Sequence, residues 1–181
     1  MLRKLFIFAI AVGFILTALL AIAVRHVKPT EDLNLDYNEI TINSKIADIV
    51  KNRKLEVQLT EQDLNEVVKK QLAAHQVLPN DFRIEGAKLT LQGSNLVADV
   101  NVRWREKIPI GAQMMFTLAW NPPNLVVLHR NTNIKGMQVP SEWVQLAPFE
   151  LPIEDHLPKL IGVKNVLFEE KAIIIQLKPL R

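Results

Sequence analysis

The sequence predicts an α+β protein: an N-terminal transmembrane helix, then a curved antiparallel sheet wrapping one amphipathic helix. Three observations carry this expectation. Leu5 to Val24 is an uncharged apolar run of 20 residues. Leu64, Val67, Val68 and Leu72 form one stripe at helical spacing. Apolar residues then recur at every second position over Leu96–Trp104 and again over Ile108–Trp120.

Composition sets the outer bounds. A chain of 181 residues has room for one span and one modest domain, and none for two large catalytic domains. With 49% apolar residues and ten scattered prolines, it is neither a disordered chain nor a coiled coil. It has no cysteine, which excludes disulfides, thiolate metal sites and cysteine nucleophiles. Of the 22 Lys and Arg, Arg3 and Lys4 precede the apolar run, leaving 20 against 19 acidic residues. A nearly neutral domain lacks the concentrated positive footprint of a nucleic-acid binder, so no nucleic-acid partner is expected.

At about 1.5 Å per residue, Leu5–Val24 matches the roughly 30 Å hydrocarbon core of a bilayer. The competing reading is a cleaved signal peptide, with Ala21-Ile22-Ala23 as a small-x-small cleavage site. Such apolar regions usually run about 7–15 residues, which favours a retained anchor. Basic residues flank the run on both sides, so the positive-inside count is near balance. The expectation is therefore a single-pass cell-membrane protein with a cytoplasmic N-terminus and an extracytoplasmic C-terminal domain. Its divisions are an anchor over residues 1–24, a polar juxtamembrane stalk over 25–54 and a domain over 55–181. Within the stalk, a short helix is expected over Ser44–Asn52.

The domain opens on Leu55, Val57 and Leu59, which alternate with polar residues as a short strand. Thr60 then caps a helix, with Asp63 reaching back as a variant capping box and Leu59 and Leu64 as a hydrophobic staple. The helix stops before Pro79. Upstream of the long alternation, Phe82 and Ile84 are even-numbered but Ala87, Leu89 and Leu91 are odd, so the phase flips at Gly86 and predicts a bulge. Gln92-Gly93-Ser94-Asn95 and Asn121-Pro122-Pro123-Asn124 read as hairpin turns, with Gly111 as a bend point in the strand between them. A strand over Leu125–Ile134 follows, then a short helix capped by Ser141, then a terminal hairpin over Gly162–Phe168 and Ala172–Leu177. Short connections throughout favour an antiparallel sheet. By the same alternation, Val100 and Phe116 face the core while Asn101 and Thr117 face solvent.

Several of these strings resemble the YpmS family of Gram-positive, single-span membrane proteins. They are the N-terminal span, Val57-Gln58-Leu59-Thr60-Glu61-Gln62-Asp63-Leu64-Asn65 entering the helix, the long meander, Ile134-Lys135-Gly136-Met137-Gln138-Val139-Pro140, and the terminal hairpin. The likeness covers about residues 55–181 and consists of residue-type patterns. The order is also similar to small tubular lipid-binding domains. That likeness implies a curved sheet around a helix and an apolar cavity, and it brings no catalytic residues.

Chemistry is sparse. His26, His75, His129 and His156 are widely spaced and form no HxH or HExxH pattern, so no metal site is expected. None of Ser44, Ser94 and Ser141 lies in GxSxG. The paired carboxylates Glu154-Asp155 and Glu169-Glu170 are sequence neighbours, which in a strand point to opposite faces. No catalytic residue and no cofactor is expected.

Two features stand above this background. Arg103, Arg105 and Lys107 alternate around Trp104 and are candidates for holding an anionic headgroup. The helix stripe also looks too short for the apolar strand face it must cover. The candidate lining of a lipid groove is therefore Leu64, Val68 and Leu72 on the helix, with Val100, Val102, Trp104, Ile110, Met114, Phe116, Leu118 and Trp120 on the strands. The function expected is a membrane-anchored, non-enzymatic domain that binds lipid or a lipid-linked envelope precursor. The alternative is a scaffold domain of a membrane or cell-envelope complex, with a membrane-protein partner and no small ligand.

Overall fold

Period-two alternation with two- and three-residue turns builds a meander, and the chain forms one. The computed structural model describes residues 2–39, 55–78, 81–144, 146–157 and 160–179; side chains are given from residue 12 onward, His156 excepted. The expected helix over Ser44–Asn52 lies outside the described residues.

Helix α1 spans Leu2–His26. The domain then runs β1 (Glu56–Thr60), α2 (Glu61–Ala74), β2 (Val77–Leu78), β3 (Phe82–Gln92), β4 (Asn95–Trp104), β5 (Ile108–Asn121), β6 (Asn124–Ile134), β7 (Met137–Gln138), β8 (Phe149–Pro152), a 3₁₀ turn (Ile153–His156), β9 (Ile161–Glu169) and β10 (Ala172–Pro179). Every strand pair is antiparallel. The strands divide into a three-stranded sheet, β1-β10-β9, and a seven-stranded sheet, β2-β3-β4-β5-β6-β7 with β8 also on β6.

This corrects the expected fold. A single curved sheet wrapping one helix is replaced by two sheets that share a core, in a largely β architecture. Val57 of β1, Ile173, Ile175 and Leu177 of β10 and Val163 and Val166 of β9 pack against Leu91 of β3 and Leu118 of β5. Burial in this core therefore comes mainly from the second sheet. The period-two pattern of β10 resembles a plain terminal hairpin in sequence. Its pairing with β1, Val57 opposite Ile175, is a long-range contact that no local pattern specifies.

Helix α2 lies along the open edge of β3. Its start is the expected capping box, with Thr60 accepting from the Asp63 amide at 3.2 Å and Asp63 accepting from the Thr60 amide at 2.8 Å. One turn on, the Asn65 side chain donates to the Leu89 carbonyl and accepts from the Leu89 amide, both at 2.8 Å. Glu61 accepts from the Leu91 amide at 2.8 Å. Further up the edge, the Ile84 amide donates to the Gln76 carbonyl at 2.8 Å and the Ala87 amide to the Asn34 carbonyl at 3.3 Å. An exposed strand edge templates pairing with other chains, and here α2, Gln76 and Asn34 of the same chain occupy it. Asn65→Leu removes both bonds to Leu89 and leaves a part-buried peptide group unpaired. It is expected to cost about 1–3 kcal/mol in urea denaturation and to raise light scattering on heating.

The bulge expected at Gly86 is present, where the β3–β4 register shifts between Ile84 and Gly86. It puts Phe82, Ile84, Ala87, Leu89 and Leu91 on one face with Trp104, Val102, Val100, Ala98 and Leu96. The helix expected after Ser141 is instead a turn, Ser141–Trp143, closed by the Trp143 amide on the Pro140 carbonyl at 3.0 Å.

The membrane anchor is also corrected. Among the described residues no helix is long and apolar enough to cross a membrane. With the span goes the single-pass membrane localisation expected from Leu5–Val24. Along α1, Phe14, Leu20 and Ile22 are exposed at 77%, 66% and 66%.

Candidate functional site

Cross-strand register sorts the large sheet into two faces. The apolar face carries the rows Phe82–Trp104–Ile108, Ile84–Val102–Ile110, Ala87–Val100–Ala112, Leu89–Ala98–Met114 and Leu91–Leu96–Phe116. The opposite face carries Arg83–Arg103–Pro109, Gly86–Asn101–Gly111, Lys88–Asp99–Gln113 and Thr90–Val97–Met115.

The groove candidates fall into two groups. Leu118 is buried in the core shared by the sheets, and Trp120 and Leu64 pack against it. These three are structural contacts between layers. Val100, Val102, Trp104, Ile110 and Met114 lie above that core and are half-buried, as are Val68 and Leu72 on α2. Phe116, also half-buried, meets the His129 ring at 5.5 Å, and His129 bonds Thr132 Oγ1 at 2.9 Å. At the top row the Trp104 ring stacks on Phe82 at 6.4 Å. An apolar band of adjacent rows thus continues upward from the shared core, with two aromatic rings at its far end.

The basic candidates do not share a strand face. Strand β4 ends at Trp104, and Arg105 and Glu106 turn the chain with φ of 49° and 57°. Alternation therefore stops before Arg105. Arg103 points to the face opposite Trp104 and donates to Glu85 at 2.5 Å. The hydrogen bond and the charge of Glu85 hold its guanidinium above the ordinary value. Arg105 lies over the Trp104 ring at 4.8 Å and 3.7 Å from Asp81. Lys107 is exposed at the same hairpin tip. Arg105 and Lys107 are thus placed beside the aromatic end of the band, and Arg103 is not.

The opposite face holds a feature that alternation does not reveal. Residues 27–39, within the stretch expected as a stalk, run as a strap across β5, β4 and β3 and reach α2. The Gly111 amide donates to the Val27 carbonyl at 3.0 Å. Asn101 Nδ2 donates to the Glu31 carbonyl at 2.8 Å, and the Ala87 amide reaches the Asn34 carbonyl. A Cβ on Gly111 would sit 2.7 Å from Pro29 Cα, and one on Gly86 would enter the Leu33 backbone. The row Gly86–Asn101–Gly111 is therefore a channel cut to the depth of a polypeptide backbone. Beside it lies a cleft of about 310 Å³ bordered by Glu31, Asp99, Gln113, Asn133 and Lys135. The available sequence signal was two glycines inside strands, which mark close approach of another backbone as readily as a bend.

Asn101, expected to face solvent, is buried at 6% exposure beneath the strap. Among the described residues, no group of three or more His, Asp or Glu could hold a metal ion. No family model matches the chain, and neither the curated proteins nor the solved structures yield a match.

Proposed function

We propose that the domain is a non-enzymatic binding module that takes an acyl chain along the upper apolar face of the large sheet. One observation carries the reading: Val100, Val102, Trp104, Ile110 and Met114 form adjacent apolar rows that lie outside the shared core and stay half-buried. Each methylene that such a surface removes from water contributes about 0.8 kcal/mol. Arg105 and Lys107 at the Trp104 end supply positive charge for a carboxylate or phosphate head. The kinship with the YpmS family, resting on the strings quoted above, is part of this proposal. The likeness to tubular domains is not, because α2 lies on a sheet edge and is not wrapped by the sheet.

The test is titration of the full chain with a brominated fatty acid while tryptophan emission is followed. Quenching is expected, and it should be largely lost in Trp104→Phe, since Trp120 packs against the shared core and Trp143 is 80% exposed on another edge. Ala112→Phe, which fills the row of Val100 beside Met114, should reduce uptake without unfolding. Unchanged emission, together with no lipid in mass spectra of the gently purified chain, would overturn the reading.

A second reading, a scaffold that docks another protein without a small ligand, is favoured by a separate observation. Met137, Trp143, Leu146 and Phe149 expose 57%, 80%, 45% and 59% of their surface within one short stretch beside β6. Large apolar side chains left exposed along one sheet edge are a common feature of protein interfaces.

A further inference from the structure

We infer that the row Gly86–Asn101–Gly111 is an exchangeable peptide channel, that the strap is its built-in competitor, and that its external ligand is an extended acidic peptide with apolar residues at alternate positions. The inference rests on the face opposite the proposed acyl site and is independent of it.

Recognition in the channel goes through main-chain atoms. Three donors on three strands, the Gly111 amide, Asn101 Nδ2 and the Ala87 amide, each meet a strap carbonyl. Every peptide carries such carbonyls, so these bonds select an extended backbone and no particular side chain. Selection comes from two other features. Val27, Pro29, Leu33 and Leu35 are half-buried, Pro29 and Leu33 against the glycines, while Lys28, Thr30, Glu31, Asp32, Asn34 and Asp36 are exposed, so the alternation is broken only at Glu31. Lysines flank the path: Lys88 pairs with Glu31 at 3.1 Å and Lys70 with Glu39 at 3.5 Å, and Lys135 lies 3.5 Å from the Thr30 hydroxyl.

The strap is held by contacts suited to release. Its apolar anchors are only half-buried. Its ion pairs are exposed, with side-chain exposures of 51% and 62% for Lys88–Glu31 and 54% and 79% for Lys70–Glu39, and such pairs hold weakly. A channel open for only a tenth to a hundredth of the time binds an outside peptide about ten- to a hundredfold more weakly than an empty one. The strap thereby sets a threshold that only a better-matched acidic peptide passes.

The probe is a fluorescent synthetic peptide of residues 26–39, followed by polarisation against the full chain. Wild type should bind it weakly. Val27→Ser with Leu33→Ser, which frees the strap, should bind it about ten- to a hundredfold more tightly. Glu31→Lys disturbs only an exposed pair and should give a smaller gain in the same direction, which preserves the test where the double variant is unfolded. Gly111→Val, added to either variant, should abolish the gain. A peptide with its acids changed to lysine should not bind, and added salt should weaken the acidic one. No gain in either strap variant, or a gain that survives Gly111→Val or reversal of the peptide's charge, would overturn the inference.

Discussion

Replacing Asn101 with aspartate should lower the unfolding free energy by about 1–3 kcal/mol, although the alternation of β4 marks the position as an outward, tolerant one. The amide is buried, and its Nδ2 holds the Glu31 carbonyl at 2.8 Å. A carboxylate there has no proton to donate and sets a buried negative charge against a carbonyl oxygen. Thr117→Asp is the matched control on the same face. Thr117 accepts from Arg130 Nε at 2.9 Å, so a carboxylate there keeps a cationic partner, and the expected change is within about 0.5 kcal/mol. Urea midpoints of the two variants check the pair. Equal, small effects would mean that the strap leaves the Asn101 amide accessible to water.

The second large effect separates core from open face. Leu91 lies among the side chains that join the two sheets, and Leu91→Ala should cost about 3–5 kcal/mol through lost burial and the cavity left behind. Ile173→Ala, from the facing sheet, should cost a similar amount. Val102→Ala and Ile110→Ala remove comparable groups from the half-buried upper rows and should cost about 1 kcal/mol or less, because those groups retain water contact in the folded chain. Denaturant midpoints across the four variants would show where the packed core stops. A uniform loss of 3 kcal/mol or more would place the upper rows inside a sealed core and remove the surface on which acyl binding depends.

How far the sequence could be read depended on the range of each contact. The capping box at Thr60 and Asp63, the turns at Gly93 and Pro122-Pro123, and the bulge at Gly86 are fixed by residues within a few positions of each other, and all were legible. The division into two sheets was not, because it depends on Val57 meeting Ile175 across more than a hundred residues. The strap was hidden for another reason. Residues 27–39 bind largely through their backbone, which leaves little mark on their side chains, and the mark falls instead on their hosts, Gly86 and Gly111. The basic trio was misjudged because alternation was extended through a turn that Arg105 and Glu106 make without glycine. Of the groove candidates, Leu118 proved to be packing because the sheet that covers it was the unread part of the fold.

The pairing of β1 with β10 also governs the order in which the chain can assemble. Strands β3 to β6 are joined by two- and three-residue turns, so their hairpins close locally and can form as soon as they are synthesised. Glu56 and Gln176 are 120 positions apart, and closing a loop of that length costs about 4 kcal/mol of chain entropy before any contact repays it. β10 is the middle strand of the small sheet, so neither β1 nor β9 has a partner in that sheet until β10 emerges. Until then Leu91 and Leu118 face water, and the nascent domain is half a sandwich. Truncation within β10, before Ile173, should therefore be far more harmful than the loss of one strand suggests, because Ile173, Ile175 and Leu177 complete the layer that closes the core.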